Sequence, residues 1–214
     1  MTVLEADVQR LLDGPRPLPL VLAGDPVLRS PAAPYDFSLP ADLWSDLIVA
    51  MRETMHDAPG VGLAAPQIGL GIRVAVLEDA ASVSAEIAAE RQRYPTPPRV
   101  LVNPMYDVAE GLRADSAKPA ESVDFYEGCL SVPGYQAVVP RSSMLRLRGQ
   151  DENGTALDEV VHGWAARIVA HETDHLNGIL YLDRALTRSL ATTASLAGRW
   201  SGIAISQVRA ELNF

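Results

Sequence analysis

The chain has 214 residues, 48% of them hydrophobic and 21% charged, enough to build a sizeable core within one domain. Its formal net charge of −9 argues against a general nucleic-acid binder, so no specific DNA binding is expected. A single cysteine, Cys129, excludes an internal disulfide and agrees with a reducing compartment.

The opening residues Met1 to Asp7 lack a basic stretch followed by an apolar one, and no segment approaches membrane-spanning length. A cytoplasmic protein without membrane contact is therefore expected. Val3, Leu4, Val8, Leu11 and Leu12 recur at helical spacing, and Gly14, Pro15, Pro17 and Pro19 then break the chain, which makes 1–19 an N-terminal extension. Leu20 to Leu22 lead into a turn at Gly24-Asp25-Pro26. A second helix is predicted over 40–57: Pro40 suits its first turn, and Leu43, Leu47, Ile48, Met51 and Met55 form one apolar stripe. Its methionines read as core and His56 as a charge at the helix end. The stretch from Gly60 to Gly69 is too rich in small residues for a regular element and lacks the Lys-Ser/Thr ending of a phosphate loop. It reads as a loop whose backbone comes close to something, with Gln67 either a site residue or a surface amide.

Ile72 to Leu77 and Arg99 to Val102 are predicted strands, rich in branched residues. Between them, 79–98 is rich in Ala, Ser and charge and ends in Pro95, Pro97 and Pro98, a surface insertion by composition; 104–122 reads as polar connecting structure. Further strands are expected at Gln136 to Val139, Ser143 to Arg148 and Leu157 to His162, the last two joined by a turn at Asp151-Glu152-Asn153-Gly154. His162 is read as structural. From Arg184 the tail is rich in Ser, Thr and Ala, with a helix expected near 203–212, and no internal repeat is present.

The strongest signal is His171-Glu172-Thr173-Asp174-His175, an HExxH pattern. On a helix, positions four apart lie about 40° apart, so both imidazoles can reach one cation while Glu172 stands beside it. Trp164, Ile168, His171 and His175 share one face, so the histidines point inward, and as neutral ligands two buried imidazoles avoid the penalty of paired charge. A catalytic metal usually takes three protein ligands and leaves one position open. Position 181, where an HExxHxxGxxH site needs a third histidine, is Tyr181, and Asp183 and Glu211 are the only acidic residues after His175. Cys129 is the remaining soft donor. A lone cysteine more often packs as a small hydrophobe, but Gly128, Pro133 and Gly134 bracket this one, which suits a strand edge or tight turn.

Gly60 to Gly69, Glu127-Gly128-Cys129-Leu130-Ser131 and His171 to Leu176 together resemble, in order and spacing, the three signature motifs of the peptide deformylase family. The resemblance covers 20–183, leaving 184–214 as a C-terminal tail. It implies an α+β fold, with small mixed and antiparallel β-sheets around a central HExxH helix. It also implies removal of the N-formyl group from N-formylmethionyl nascent peptides, releasing formate, with transient ribosome association. Carried over residue by residue, it makes Cys129, His171 and His175 the metal ligands and Glu172 the general acid/base. Gln67 and the Leu130 backbone N–H become oxyanion donors. Val61, Gly62, Phe125, Glu127, Trp164 and Ile168 align with the methionine side-chain pocket, and Arg141 is expected to brace the Cys129 loop. The ion most common in the family is Fe²⁺, which Zn²⁺ or Ni²⁺ can replace in a Cys/His₂ site. Two features depart from common members: Gln136 stands where some carry an arginine, and the tail lacks an evident long basic helix.

Two other functional classes are weighed. A zinc metallopeptidase of another kind is disfavoured by Tyr181, and a metal-binding module without catalysis would need Glu172 or Gln67 to be replaced.

Overall fold

The computed structural model describes residues 1–108, 122–200 and 203–214. Helix α1, Val3–Leu12, starts at a capping box in which the Thr2 hydroxyl accepts from the Glu5 N–H and the Glu5 carboxylate accepts from the Thr2 N–H. Helix α2, Ala41–Asp57, follows, and its stripe of Leu47, Ile48, Met51 and Met55 is buried. Leu4, Val8, Leu11 and Leu12 of α1 pack into the same cluster, so the N-terminal extension shares the main core.

The glycine-rich stretch departs from the loop expected of it. Gly62–Ala64 forms strand β1 and Ala65–Ile68 one turn of 3₁₀ helix, because β1 pairs antiparallel with β2, Val74–Asp79, in the register Leu63 to Val76. Cross-strand hydrogen bonds override a low local propensity here, and the small side chains allow complete burial of Leu63, Ala64 and Ala65.

The segment 79–98 is not only a surface insertion. It contains helix α3, Ala85–Arg91, and Asp79 is buried with its carboxylate held by Arg93 at 2.8 and 2.9 Å. Strand β3, Thr96–Val108, extends through Pro104 to Val108, into the stretch expected to be connecting structure, and 109–121 of that stretch lies outside the described residues. Strand β4, Ser122–Cys129, was not anticipated, because its alternation is interrupted by charge and glycine. Strands β5, Val132–Ser142, β6, Met144–Gln150, and β7, Ala156–His162, cover the three remaining predicted strands apart from Ser143, which lies between β5 and β6, and are longer.

Helix α4, Gly163–Leu176, carries His171 and His175. Its first N–H groups are tied to neighbours: Gly163 donates to Ser143 O at 2.7 Å, and Trp164 donates to Gln92 O at 3.2 Å. Gly163 has φ +58°, and a Cβ there would meet the Gln92 side chain at 2.6 Å, so this start admits only glycine. At the other end Arg73 donates to Leu176 O at 3.0 Å and to Pro104 O at 2.7 Å.

The tail is more structured than its composition predicts. Strand β8, Ala191–Thr192, adds an edge to β5, and helices α5, Thr193–Arg199, and α6, Ile205–Leu212, follow. The result is a mixed helix and antiparallel-sheet domain. One sheet has the order β1-β2-β3-β6-β7 and the other β4-β5-β8, and α4 touches strands of both. No helix among the described residues is long and apolar enough to cross a membrane.

Candidate active site

One turn of α4 separates His171 from His175, and their ring centroids are 5.0 Å apart. Cys129 comes from the end of β4, where the register with β5 shifts between Gly128 and Cys129 and turns the chain back at Leu130 and Ser131. The Cys129 Sγ lies 3.2 Å from His175 Nε2, and the donor atoms of Cys129, His171 and His175 all lie within 4.8 Å of one another. One sulfur and two imidazole nitrogens so close together fit a divalent transition ion with a position left open.

Beside this cluster Glu172 is buried, and its Oε2 has no hydrogen-bond partner among the described residues. Burial pushes its carboxyl up to about 7, against the pull of His171 and Arg141. Gly62 makes room for it: a Cβ at position 62 would stand 2.6 Å from Glu172 Cδ and 2.8 Å from Cγ. The close approach read into the glycine-rich stretch is thus to a side chain of α4.

Gln67 is buried, which excludes the surface-amide alternative. Its Oε1 accepts from the Ala64 N–H at 2.9 Å, which directs the Nε2 donors toward Ser131 Oγ at 3.3 Å and Cys129 Sγ at 3.5 Å. The Ser131 N–H also donates to Cys129 Sγ at 3.4 Å. Sequence reasoning missed Ser131, a residue with no spacing signal of its own.

A charged layer stands behind the histidines. Glu127 accepts from Arg141 at 2.6 and 3.0 Å and from Arg167 at 2.6 Å, and its Oε2 lies 3.1 Å from His171 Nδ1. Burial alone would raise the Glu127 carboxyl, but the hydrogen bond with His171 and the charge of Arg141 hold it well below the usual carboxylate range. Arg141 also donates to Asp174 at 2.8 Å, and Asp174 is capped by Arg184 at 2.7 and 2.9 Å and by the Tyr106 hydroxyl at 3.1 Å. Arg141, expected to brace the Cys129 loop, therefore ties β4 to α4. Arg167 and Asp174 went unnoticed because only the fold brings them to Glu127 and Arg141.

A cleft of about 750 Å³ opens onto the cluster and is lined by Val61, Gly62, Gln67, Glu127, Leu130, Trp164, Ile168 and Glu172 among others. Phe125, expected on its wall, instead lies behind Trp164, with ring centroids 5.8 Å apart. Glu127 reaches the wall, but its carboxylate is engaged by the two arginines. Gln136 also borders the cleft, and Thr193 brings the tail to its rim.

Soft donors around one point, with an unpartnered carboxylate and an aimed amide at the head of a cleft, are the equipment of a metal-dependent hydrolase. A polypeptide deformylase family profile matches residues 17–190, and the chain belongs to that family of enzymes, which remove the N-formyl group from nascent chains. It is 57% identical to peptide deformylase 1 of Streptomyces coelicolor over 194 residues, 91% of this chain and 85% of that one. The fold resembles the class I type b peptide deformylase of Acinetobacter baumannii at a TM-score of 0.63, with 35% identity over 78% of this chain and 97% of that one. It also resembles a Synechococcus elongatus peptide deformylase in complex with actinonin at a TM-score of 0.62, with 33% identity over 92% of each chain.

Proposed function

We propose that Cys129, His171 and His175 hold one divalent metal ion, Fe²⁺ by choice with Zn²⁺ or Ni²⁺ as substitutes, and that Glu172 moves the protons of formyl-methionyl hydrolysis. The observation that carries this reading is the donor cluster set beside a buried carboxylate oxygen with no partner among the described residues. The ion, when bound, supplies a Lewis acid that polarises the formyl carbonyl and makes a water molecule more acidic. Glu172 Oε2 accepts the proton of the attacking water and returns it to the departing amine nitrogen. Gln67 Nε2, its orientation set by Ala64, and the Leu130 N–H donate to the oxyanion that develops on the formyl oxygen; one such donor contributes about 3 kcal/mol. Val61, Gly62, Trp164 and Ile168 form the slot for the methionine side chain, with Phe125 and Glu127 supporting it from behind.

In this reading α4 is the central element of the fold, residues 20–183 are the catalytic domain, and the work is done in the cytoplasm with transient ribosome association. Tyr181 stacks on His171 at 6.2 Å and donates its hydroxyl to Tyr135 O at 3.1 Å, a bracing role that leaves no third ligand of the metallopeptidase kind at that position. The test uses one metal-loaded preparation and three substrates. Formate is expected from formyl-Met peptides, with little deacetylation of acetyl-Met peptides and no internal cleavage. A formyl carbon bears only hydrogen, whereas an acetyl methyl collides between Gln67 and Leu130. Internal cleavage without formate release rejects the assignment.

A further inference from the structure

Three guanidinium groups crowd the Trp164 indole: Arg91 at 5.2 Å from its ring, Arg93 at 5.3 Å and Arg167 at 5.6 Å. Arg91 and Arg167 also stand over Phe125, at 5.5 and 5.3 Å. Two of the three are committed elsewhere. Arg167 donates to Glu127, Val139 O and Val123 O, and Arg93 donates to Asp79. Arg91 makes no hydrogen bond or ion pair among the described residues, and its Nε is buried without a partner.

Arg91 lines the same cleft as Gln67, His171 and Glu172. Trp164 precedes His171 by two turns of α4, about 10 Å along the helix axis. A first-residue side chain whose formyl group sits beside His171 therefore runs toward Trp164 and the guanidinium stacked on it. Stacking uses the face of a guanidinium and leaves its edge N–H donors available. A methionine thioether is a weak acceptor and gives those donors little to do. Oxidation of the same side chain to the sulfoxide adds a polar oxygen that an apolar slot would strip of water without replacement.

We propose that Arg91 is a specificity-determining residue that donates to the sulfoxide oxygen of formyl-methionine sulfoxide, so that chains with an oxidised first residue remain substrates. This rests on the deformylase reading and on Trp164 as a wall of the slot. The chemistry is unchanged: water adds to the formyl carbon, the C–N bond breaks, formate and the free amine leave, and the sulfoxide stays at its oxidation level.

The experiment compares kcat/KM for matched formyl-Met, formyl-Met sulfoxide and formyl-norleucine tripeptides in the wild type, Arg91→Met and Arg91→Lys. Norleucine reports the apolar slot alone, so the readout is the ratio of sulfoxide to norleucine, which a loss of folded or metal-loaded enzyme does not change. The ratio is expected to fall about tenfold or more in Arg91→Met, the scale of one charge-assisted hydrogen bond, and to recover in part in Arg91→Lys. Arg91→Leu, which also lacks donors, serves if the methionine variant does not fold. An unchanged ratio, or rejection of the sulfoxide by the wild type, overturns the proposal. Absence of formate from all three peptides instead rejects the deformylase reading beneath it.

Discussion

Glu127 Oε2 lies 3.1 Å from His171 Nδ1, and the same carboxylate accepts from two buried arginines, Arg141 and Arg167. The carboxylate orients the ring, and in the proposed function this leaves the other nitrogen for the ion. Glu127 and Asp174 together offset the buried charges of Arg141 and Arg167, and the β4 strand is locked to α4 beside the Cys129, His171 and His175 cluster.

Replacing Glu127 by Ala leaves Arg141 and Arg167 buried without their shared partner. Stability should fall by about 3–5 kcal/mol, the cost of breaking a buried pair, read as a shift in the denaturant midpoint. In the milder Glu127→Gln, metal affinity should drop by about 10- to 100-fold, as for other ligand-supporting residues. Competition with a metal chelator measures it; unchanged affinity would remove Glu127 from the metal site.

Cys129→Ala removes the only sulfur donor of the cluster. Most bound metal should be lost, and elemental analysis of anaerobically purified protein gives the stoichiometry directly. Full metal content together with full activity would refute the three-ligand model.

Glu172→Gln keeps the size of the side chain and removes its capacity to take a proton. Bound metal should remain while kcat falls by about 10²-fold or more, the scale of lost general acid–base catalysis. Retained turnover with metal in place would assign the proton transfers elsewhere.

Gly62→Ala places a methyl group against the Glu172 side chain, 2.6 Å from its Cδ. Either the carboxylate or β1 must shift, and a displacement of about 1 Å can cost on the order of 10²-fold in rate. Turnover should fall steeply while metal content holds, since the atoms nearest the added methyl group all belong to Glu172. Normal kcat in this variant would show that Glu172 tolerates displacement.

A ferrous ion beside a thiolate exposes both partners to oxidation. Iron-loaded enzyme should lose activity in air or peroxide, and the nickel-loaded form should decay more slowly. Equal decay of the two forms would point to another native metal.

What the sequence by itself determined was local and periodic. The spacing of His171 and His175, the apolar stripes of α1 and α2 and the turn at Asp151 to Gly154 depend on near neighbours and could be read directly. The motifs around Gln67, Cys129 and His171 pointed to the family before any contact was known. Tertiary structure decided the rest, because it depends on partners distant in the chain. The Gly62–Ala64 strand exists through pairing with β2, and the tail gains its strand through β5. Arg167, Asp174 and Ser131 acquire meaning only when β4, β5 and α4 meet. Phe125 lies behind Trp164 because strand pleating and helix packing set which ring faces the cleft. Composition could not show that a polar insertion would return Arg91 to the site, since long-range packing has no period in sequence.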